Sequence, residues 1–120
     1  MINIFGFNFY SAKEQKELDD AYAAQMFPYG EPQREAVSRI LKELCPKSDP
    51  KTVMFFYLVL KQALMEDRSL SLPQVMMQAK LRSFPAKVSP EAGQAIFRLC
   101  LADLDCGESL SYPSVSELMA

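Results

Sequence analysis

The chain has 120 residues, of which 49% are hydrophobic and 23% are charged, the composition of one folded globular domain. Its net charge of -2 gives no overall attraction to nucleic acid or to an anionic membrane. Histidine is absent, which excludes histidine general bases, Ser-His and Cys-His dyads and most zinc sites. We therefore predict a protein that is not an enzyme and that uses no cofactor and no metal.

The first ten residues, MINIFGFNFY, form the most strand-like part of the sequence. Apolar and small or polar residues alternate there, which predicts an extended Phe-rich N-terminal arm (residues 1–10) ahead of a single helical domain (residues 11–120). The arm either packs into a groove of its own molecule or pairs with a partner chain, which includes a second copy. The candidate partner-binding residues of the arm are Ile4, Phe5, Phe7 and Phe9.

The N-terminal sequence and the cysteines indicate the cellular compartment of the protein. No basic leader is present, and polar residues interrupt the apolar ones, so a signal peptide is not expected. Three cysteines without close spacing do not make a disulfide framework and suit a reducing compartment. We therefore expect a cytoplasmic protein with free thiols.

A first helix is predicted from a capping box formed by Ser11 and Glu14 to about Met26. The inner face of this helix should consist of Leu18, Ala21, Tyr22 and Met26. The segment FPYGEP then breaks the chain. Its aromatic residues Phe27 and Tyr29 either form an exposed recognition patch, and are then partner-binding candidates, or fold back onto the core.

A second helix is predicted to open at Pro32 and to end before Pro46. Its apolar residues recur at helical spacing on one face, which predicts an inner stripe of Val37, Ile40, Leu41 and Leu44.

The segment TVMFFYLVLKQALM holds the densest apolar run in the chain. The run is too short to span a bilayer, and the helix-forming residues that follow it favour a helix over a buried strand. Asp49 should cap this helix, with Pro50 in its first turn and its end near Asp67. Because every residue from Val53 to Leu60 is apolar, the helix should be covered on all sides, either within the bundle or by a second copy.

Two further helices and a short turn complete the predicted bundle. Ser71 should cap a fourth helix that runs from Leu72 to about Ser83, and Ser89 with Pro90 should start a fifth that runs to about Asp105. Pro113 opens a last short turn through Met119. The fold class is therefore all-α, a compact bundle of about five helices.

The cysteines and acidic residues near helix ends need separate explanations. Cys45 and Cys106 lie at predicted helix C-termini, where the helix dipole raises a thiol pKa, and Cys100 lies within an apolar helix. Asp103 and Asp105 also oppose the helix dipole, and the only explanation that the sequence offers is pairing with a nearby Lys or Arg.

Positive charge is concentrated between residues 68 and 98. Helices four and five, joined by a short turn, resemble a helix-turn-helix, in which Lys80, Arg82 and Lys87 would contact phosphates. The favoured interpretation is a solvated basic face or a complement to the acidic C-terminal residues, because helix five offers few polar side chains for reading bases.

We therefore predict a non-enzymatic protein-protein interaction or self-associating helical module, whose partner is a protein and includes a second copy in a homodimer. The alternative is a nucleic-acid-binding regulator that uses the basic segment 68–98. Nucleic acid is the less favoured partner, and no membrane partner is expected.

Overall fold

The computed structural model is an all-α bundle, and it describes residues 2–4, 7–9 and 12–120. The fold class predicted from the sequence is confirmed. The helices are α1 (Ala12–Met26), α2 (Glu31–Leu44), α3 (Pro50–Glu66), α4 (Leu72–Gln78), α5 (Pro90–Cys106) and α6 (Val115–Met119), and a 3₁₀ turn follows α5 at Gly107–Ser109.

Two short strands lie at the N-terminus, β1 (Ile2–Ile4) and β2 (Phe7–Phe9). They pair antiparallel, with Ile2 opposite Phe9 and Ile4 opposite Phe7. Both described segments of the predicted arm are therefore extended, but they pair with each other, which the sequence analysis did not predict. Phe5 lies outside the described residues.

The helix start signals are confirmed where the structure describes them. The Asp49 carboxylate accepts a hydrogen bond from the backbone N–H of Thr52 at 3.0 Å, and the Ser89 hydroxyl accepts one from Ala92 at 3.0 Å. Each satisfies an amide that the first turn of a helix leaves without an intrahelical partner. The capping box expected for α1 involves Ser11, which lies outside the described residues.

Helix α4 is shorter than predicted, since it ends at Gln78 and not near Ser83. Lys80 adopts a left-handed backbone with φ of 59°. The N–H of Leu81 donates to the carbonyl of Met76 at 2.8 Å, and that of Lys80 donates to the carbonyl of Met77 at 3.1 Å. This is the Schellman pattern, which usually places glycine where Lys80 stands, so the sequence did not mark the helix end.

The core lies between α3 and α5, which pack against each other, with α2, α4 and α6 packed around them. Gly93 on α5 permits a close approach of the Phe84 ring, because a Cβ there would lie 2.6 Å from Cδ1 and 2.8 Å from Cζ. The fully buried aliphatic side chains include Leu60, Leu64, Val75, Ile96 and Leu99.

Of the two alternatives for covering α3, cover on all sides within the bundle is wrong, and cover by a second copy stays a prediction. Phe55 is 65% exposed and Met65 is 41% exposed. The inner face predicted for α1 is also partly wrong, because Ala21 and Tyr22 are exposed and only Met26 of the described side chains on that face is buried. Helix α1 contacts α3 around Gln62, whose side chain accepts a hydrogen bond from the Tyr22 hydroxyl, and it does not cover Phe55.

Within the described residues, none of the helices has both the length and the apolar character needed to cross a membrane.

Candidate functional site

A group of buried polar side chains surrounds Asp103 on α5. The carboxylate accepts hydrogen bonds from Lys61 Nζ at 2.6 Å, Tyr112 Oη at 2.7 Å and Gln33 Nε2 at 3.0 Å. The Tyr57 hydroxyl donates a fourth hydrogen bond to the same carboxylate. We call these five residues the Asp103 cluster. They bring together α2, α3, α5 and the segment before α6.

Contacts around the Asp103 cluster extend to the end of α1. The Lys61 ammonium also donates to the carbonyl of Met26 and lies 5.0 Å from the centroid of the Phe27 ring. The amide oxygen of Gln33 accepts from the backbone N–H of Tyr29 at 2.9 Å. The cluster therefore fixes the α1–α2 connection onto the core.

The predicted pairing of the two aspartates near the end of α5 is confirmed. Asp103 pairs with Lys61 in the core, where each residue is 2% exposed. Asp105 pairs with Arg68 at the surface, where both side chains remain more than half exposed. One ion pair is thus buried and the other is solvated.

The electrostatics of the Asp103 cluster explain its protonation. Burial acts to raise the pKa of Asp103, but the hydrogen bonds from Lys61, Tyr57, Gln33 and Tyr112 outweigh it and hold the pKa below its ordinary value. Burial, together with the negative charge and hydrogen bonding of Asp103, raises the pKa of the Tyr57 and Tyr112 hydroxyls. The carboxylate therefore stays ionised while both phenols stay protonated as donors.

Nothing in the Asp103 cluster is left for a substrate. Every buried side-chain nitrogen and oxygen in the described part of the chain has a hydrogen-bond partner. Gln33, Lys61 and Asp103 are at most 2% exposed. A satisfied, inaccessible cluster of this kind stabilises and orients helices, and a catalytic role would need an access route.

Cys45 and Cys100 lie where the sequence placed them, and neither offers a reactive thiolate. Cys100 is fully buried, and burial raises its pKa. Cys45 follows the last residue of α2, and burial raises its pKa as well. Among the side chains that the structure describes, no three of His, Cys, Asp or Glu are arranged to hold a metal ion.

A groove on the surface between α2 and α3 is the second candidate site. Its volume is about 560 Å³, within the usual range for ligand sites. Its floor and walls are mainly apolar, three of its residues are cationic, and none of its lining residues is acidic. The α2–α3 groove is lined by Arg34, Ser38, Leu41, Lys42, Cys45, Pro46, Ser48, Pro50, Lys51, Val53, Met54, Phe55 and Leu58.

The groove follows from the geometry of the apolar run in α3. Successive residues of a helix advance by about 100° around its axis, so an unbroken run places apolar side chains on every side. Val53, Phe56 and Tyr57 point into the core and are buried. Phe55 and Leu58 point toward the groove. The outward residues therefore form one apolar bank of the groove.

The predicted partner-binding residues are not brought together in this groove. Phe27 is buried and its ring lies parallel to that of Tyr57, with centroids 6.3 Å apart, so it packs in the core and is not accessible to a partner. Tyr29 is 44% exposed but does not line the groove. Ile4, Phe7 and Phe9 lie in the N-terminal strands.

The basic residues of segment 68–98 fall into two groups, those that bind other parts of the chain and those that are exposed. Arg68 pairs with Asp105, and Arg98 donates to the backbone carbonyls of Leu118 at 2.7 Å and Ala120 at 2.9 Å. Lys80, Arg82 and Lys87 are exposed. The first two line a second groove of about 1020 Å³ between α4 and the start of α5, with Met77 at its edge.

The helix-turn-helix that the sequence offered as the less favoured alternative does not form between α4 and α5. A long connection, residues 79–89, separates α4 from α5, in place of the short turn of that motif. Lys80, Arg82 and Lys87 all lie in this connection, so no helix presents them to a groove of DNA.

No family model, curated protein or solved structure matches this chain. The function is therefore inferred from the residues of the two candidate sites. The signal for the groove in the sequence was the unbroken apolar run around Phe55, and the signal for the Asp103 cluster was Lys61 directly after that run.

Proposed function

We propose that this chain is a non-enzymatic protein-interaction module that binds a partner in the α2–α3 groove. The observation that carries the proposal is Phe55, which projects from the middle of a regular helix with 65% of its surface exposed. Covering such a ring gains roughly 1.5–3 kcal/mol. An apolar surface next to a groove is a common property of protein-binding sites.

The chemistry of the two candidate sites supports binding over catalysis. The Asp103 cluster is closed to solvent, and its donors and acceptors are satisfied. The lining of the groove supplies cations and hydroxyls but no carboxylate to act with them. Its cysteine, Cys45, has a pKa raised by burial and is a poor nucleophile.

A selection from a random peptide library tests the proposal without assuming the partner. The bait proteins are the unchanged chain, the variant Phe55→Asp, and the control Met77→Asp, which alters an exposed apolar residue that does not line the α2–α3 groove. We expect peptides with apolar residues at helical spacing to bind the unchanged chain and Met77→Asp, and to lose binding to Phe55→Asp. Failure to enrich any peptide, or enrichment that is insensitive to Phe55→Asp, would contradict the proposal.

The partner predicted from the sequence includes a second copy, with the N-terminal residues 1–10 at the interface. Light scattering over a range of concentrations measures this directly for the intact chain, a version without residues 1–10, and Phe55→Asp. A dimer that dissociates without residues 1–10 supports the homodimer, whereas a monomer at all concentrations makes the partner a different protein.

Binding of nucleic acid is the second candidate, and it is favoured by the exposure of Lys80, Arg82 and Lys87 in a connection without acidic residues. Such cations would contact phosphates without reading bases. The test is the affinity for duplex DNA and single-stranded RNA at low and high salt, for the unchanged chain and for Lys80→Glu with Arg82→Glu. Affinity that is unaffected by salt or by this substitution rules the candidate out.

A further inference from the structure

We infer that the partner segment recognised by the α2–α3 groove is an acidic amphipathic α-helix of another protein. This inference rests on the proposed function and adds the chemistry of the partner to it. Three properties of the groove lead to it: the charge of its two banks, the spacing of its cations, and the helical structure of its walls.

The charge of the groove is opposite to that of the chain. The net charge of the chain is -2, yet the groove is lined by Arg34, Lys42 and Lys51 and by no carboxylate. These three side chains are exposed and form no ion pair with another residue of the described chain. A partner that carries carboxylates beside an apolar stripe would match both parts of this surface.

The carboxylates nearest the groove lie outside its lining. Glu31 and Glu35 of α2 line a neighbouring depression that Arg34, Arg39 and Lys42 share with them. The Asp49 carboxylate interacts with Lys51, and it accepts hydrogen bonds from the backbone and hydroxyl of Thr52 as a helix cap. Positive charge is therefore concentrated in the lining of the groove and does not extend over the whole of this side of the molecule.

The spacing of the groove residues favours a helical partner. Arg34, Ser38 and Lys42 follow one another at intervals of four residues along one bank, and Lys51 and Phe55 do so along the other. Arg34 and Lys42 are therefore about 12 Å apart along the axis of α2. Carboxylates seven or eight residues apart on one face of a partner helix have the same separation. Ridges of this kind receive a third helix between them.

The walls of the groove disfavour an extended partner. Both banks are helices, whose backbone N–H and C=O groups are already paired within each helix. A peptide that pairs as a β-strand needs a free strand edge for its own backbone, and these two helices offer none. A helix brings its backbone hydrogen bonds with it, so only its side chains need partners.

The charges also argue against the N-terminal residues of a second copy as the occupant. The segment MINIFGFNFY contains no acidic side chain. It would cover the apolar bank but leave Arg34, Lys42 and Lys51 without counter-charges. An acidic helix satisfies both requirements, and for this reason we assign the groove to a different protein.

The test uses three helical peptides of about 18 residues, or five turns. They share one stripe of leucines and differ only at the flanking positions, which are all Glu, all Gln or all Lys. Fluorescence anisotropy with the full chain measures each affinity at low and high salt. We expect the Glu peptide to bind about tenfold more tightly than the Gln peptide, because exposed ion pairs are individually weak but several form together. The Lys peptide should bind weakest.

Variants of the chain test where the selectivity comes from. Lys51→Glu should reduce the preference for the Glu peptide over the Lys peptide, and the helix tolerates it because an acidic residue near a helix N-terminus is favourable. Arg82→Glu is the matched control, since it makes the same change of net charge outside the groove and should leave the preference unchanged. High salt should reduce the differences in affinity among the three peptides, because it screens the charges.

The outcomes separate the two proposals. If none of the three peptides binds, the proposed function itself fails. If all three bind equally well and lose binding to Phe55→Asp, the groove binds protein but the acidic partner is wrong. Tighter binding of the Lys peptide, dimerisation that Phe55→Asp abolishes, or binding of anionic phosphatidylglycerol vesicles without binding of the Glu peptide would also overturn the acidic helix.

Discussion

Helix α3 takes part in two regions that use its side chains in opposite ways. On its inner side, Tyr57 and Lys61 reach Asp103 in a cluster where every donor and acceptor is paired. On its outer side, Phe55 and Lys51 line the α2–α3 groove and are exposed. The inner side of α3 therefore serves stability and the outer side serves binding. Substitutions on the inner side should destabilise the fold, whereas substitutions on the outer side should alter only what the protein binds.

The largest effect on stability is expected for Asp103→Asn. Asparagine keeps the shape but removes the charge that balances the buried Lys61 ammonium, so the free energy of unfolding should fall by about 3–5 kcal/mol. Urea denaturation measures this loss. The control is Asp105→Asn on the same helix, whose exposed pair with Arg68 should contribute about 0–1 kcal/mol. Equal losses for the two variants would contradict the special role of the Asp103 cluster.

Acid should weaken the inner region through the same carboxylate. The pKa of Asp103 is lower in the folded chain than its ordinary value, so in acid the unfolded chain takes up the proton more readily. The stability that Asp103 contributes is therefore complete above the ordinary aspartate pKa of about 3.9 and is lost as the pH falls below it. Urea midpoints measured from neutral to acidic pH should fall more steeply for the unchanged chain than for Asp103→Asn. Parallel curves would contradict this prediction.

Gly93→Ala tests the close packing of the inner region. The added methyl group would meet the Phe84 ring, so we expect a loss of about 1–3 kcal/mol, although alanine is the better helix former. Thermal or urea denaturation gives the value. Pairing the substitution with Phe84→Leu should recover part of the loss, and strictly additive effects would show that the two residues do not interact.

Tyr112→Phe should lower the free energy of unfolding by less than Asp103→Asn does, because it removes only one of the four hydrogen bonds to Asp103. The loss expected for a hydrogen bond to a charged acceptor is about 1.5–3 kcal/mol, at the lower end because Tyr112 is only partly buried. Tyr29→Phe is the control, since no hydrogen bond of the Tyr29 hydroxyl occurs within the described residues. A Tyr112→Phe variant as stable as the control would show that the other three donors are enough to stabilise the Asp103 carboxylate.

The smallest effect on stability is expected on the outer side. Phe55→Ser removes an exposed ring that the fold does not need, so the free energy of unfolding should change by no more than about 0.5 kcal/mol. The same substitution should abolish peptide binding in the groove. A large loss of stability would mean that Phe55 belongs to the core, and the comparison between the two sides of α3 would then fail.

Much of the fold could be predicted because its signals are local. Asp49 with Pro50 and Ser89 with Pro90 mark helix starts within a few residues, and the structure confirms both. The end of α4 was missed because a lysine, Lys80, takes the left-handed position that usually belongs to glycine.

The two sides of α3 could be predicted only in part because they depend on distant contacts. The unbroken apolar run does not indicate which face of α3 the other helices leave exposed, so the sequence did not predict the exposure of Phe55. The position of Asp103 at a helix C-terminus showed that it needs a cation. Only the tertiary structure identifies that cation as Lys61, which lies 42 residues away in the chain.

The Asp103 cluster also has a consequence for biosynthesis. Its members come from positions 33 to 112, so the carboxylate cannot acquire its full set of donors until residue 112 has been synthesised. Until residue 103 has been synthesised, a nascent chain contains Lys61 in an apolar helix without its counter-charge, which disfavours closure of the core around it. We therefore expect the helices to assemble late and together as the chain leaves the ribosome, and not one after another in order of synthesis.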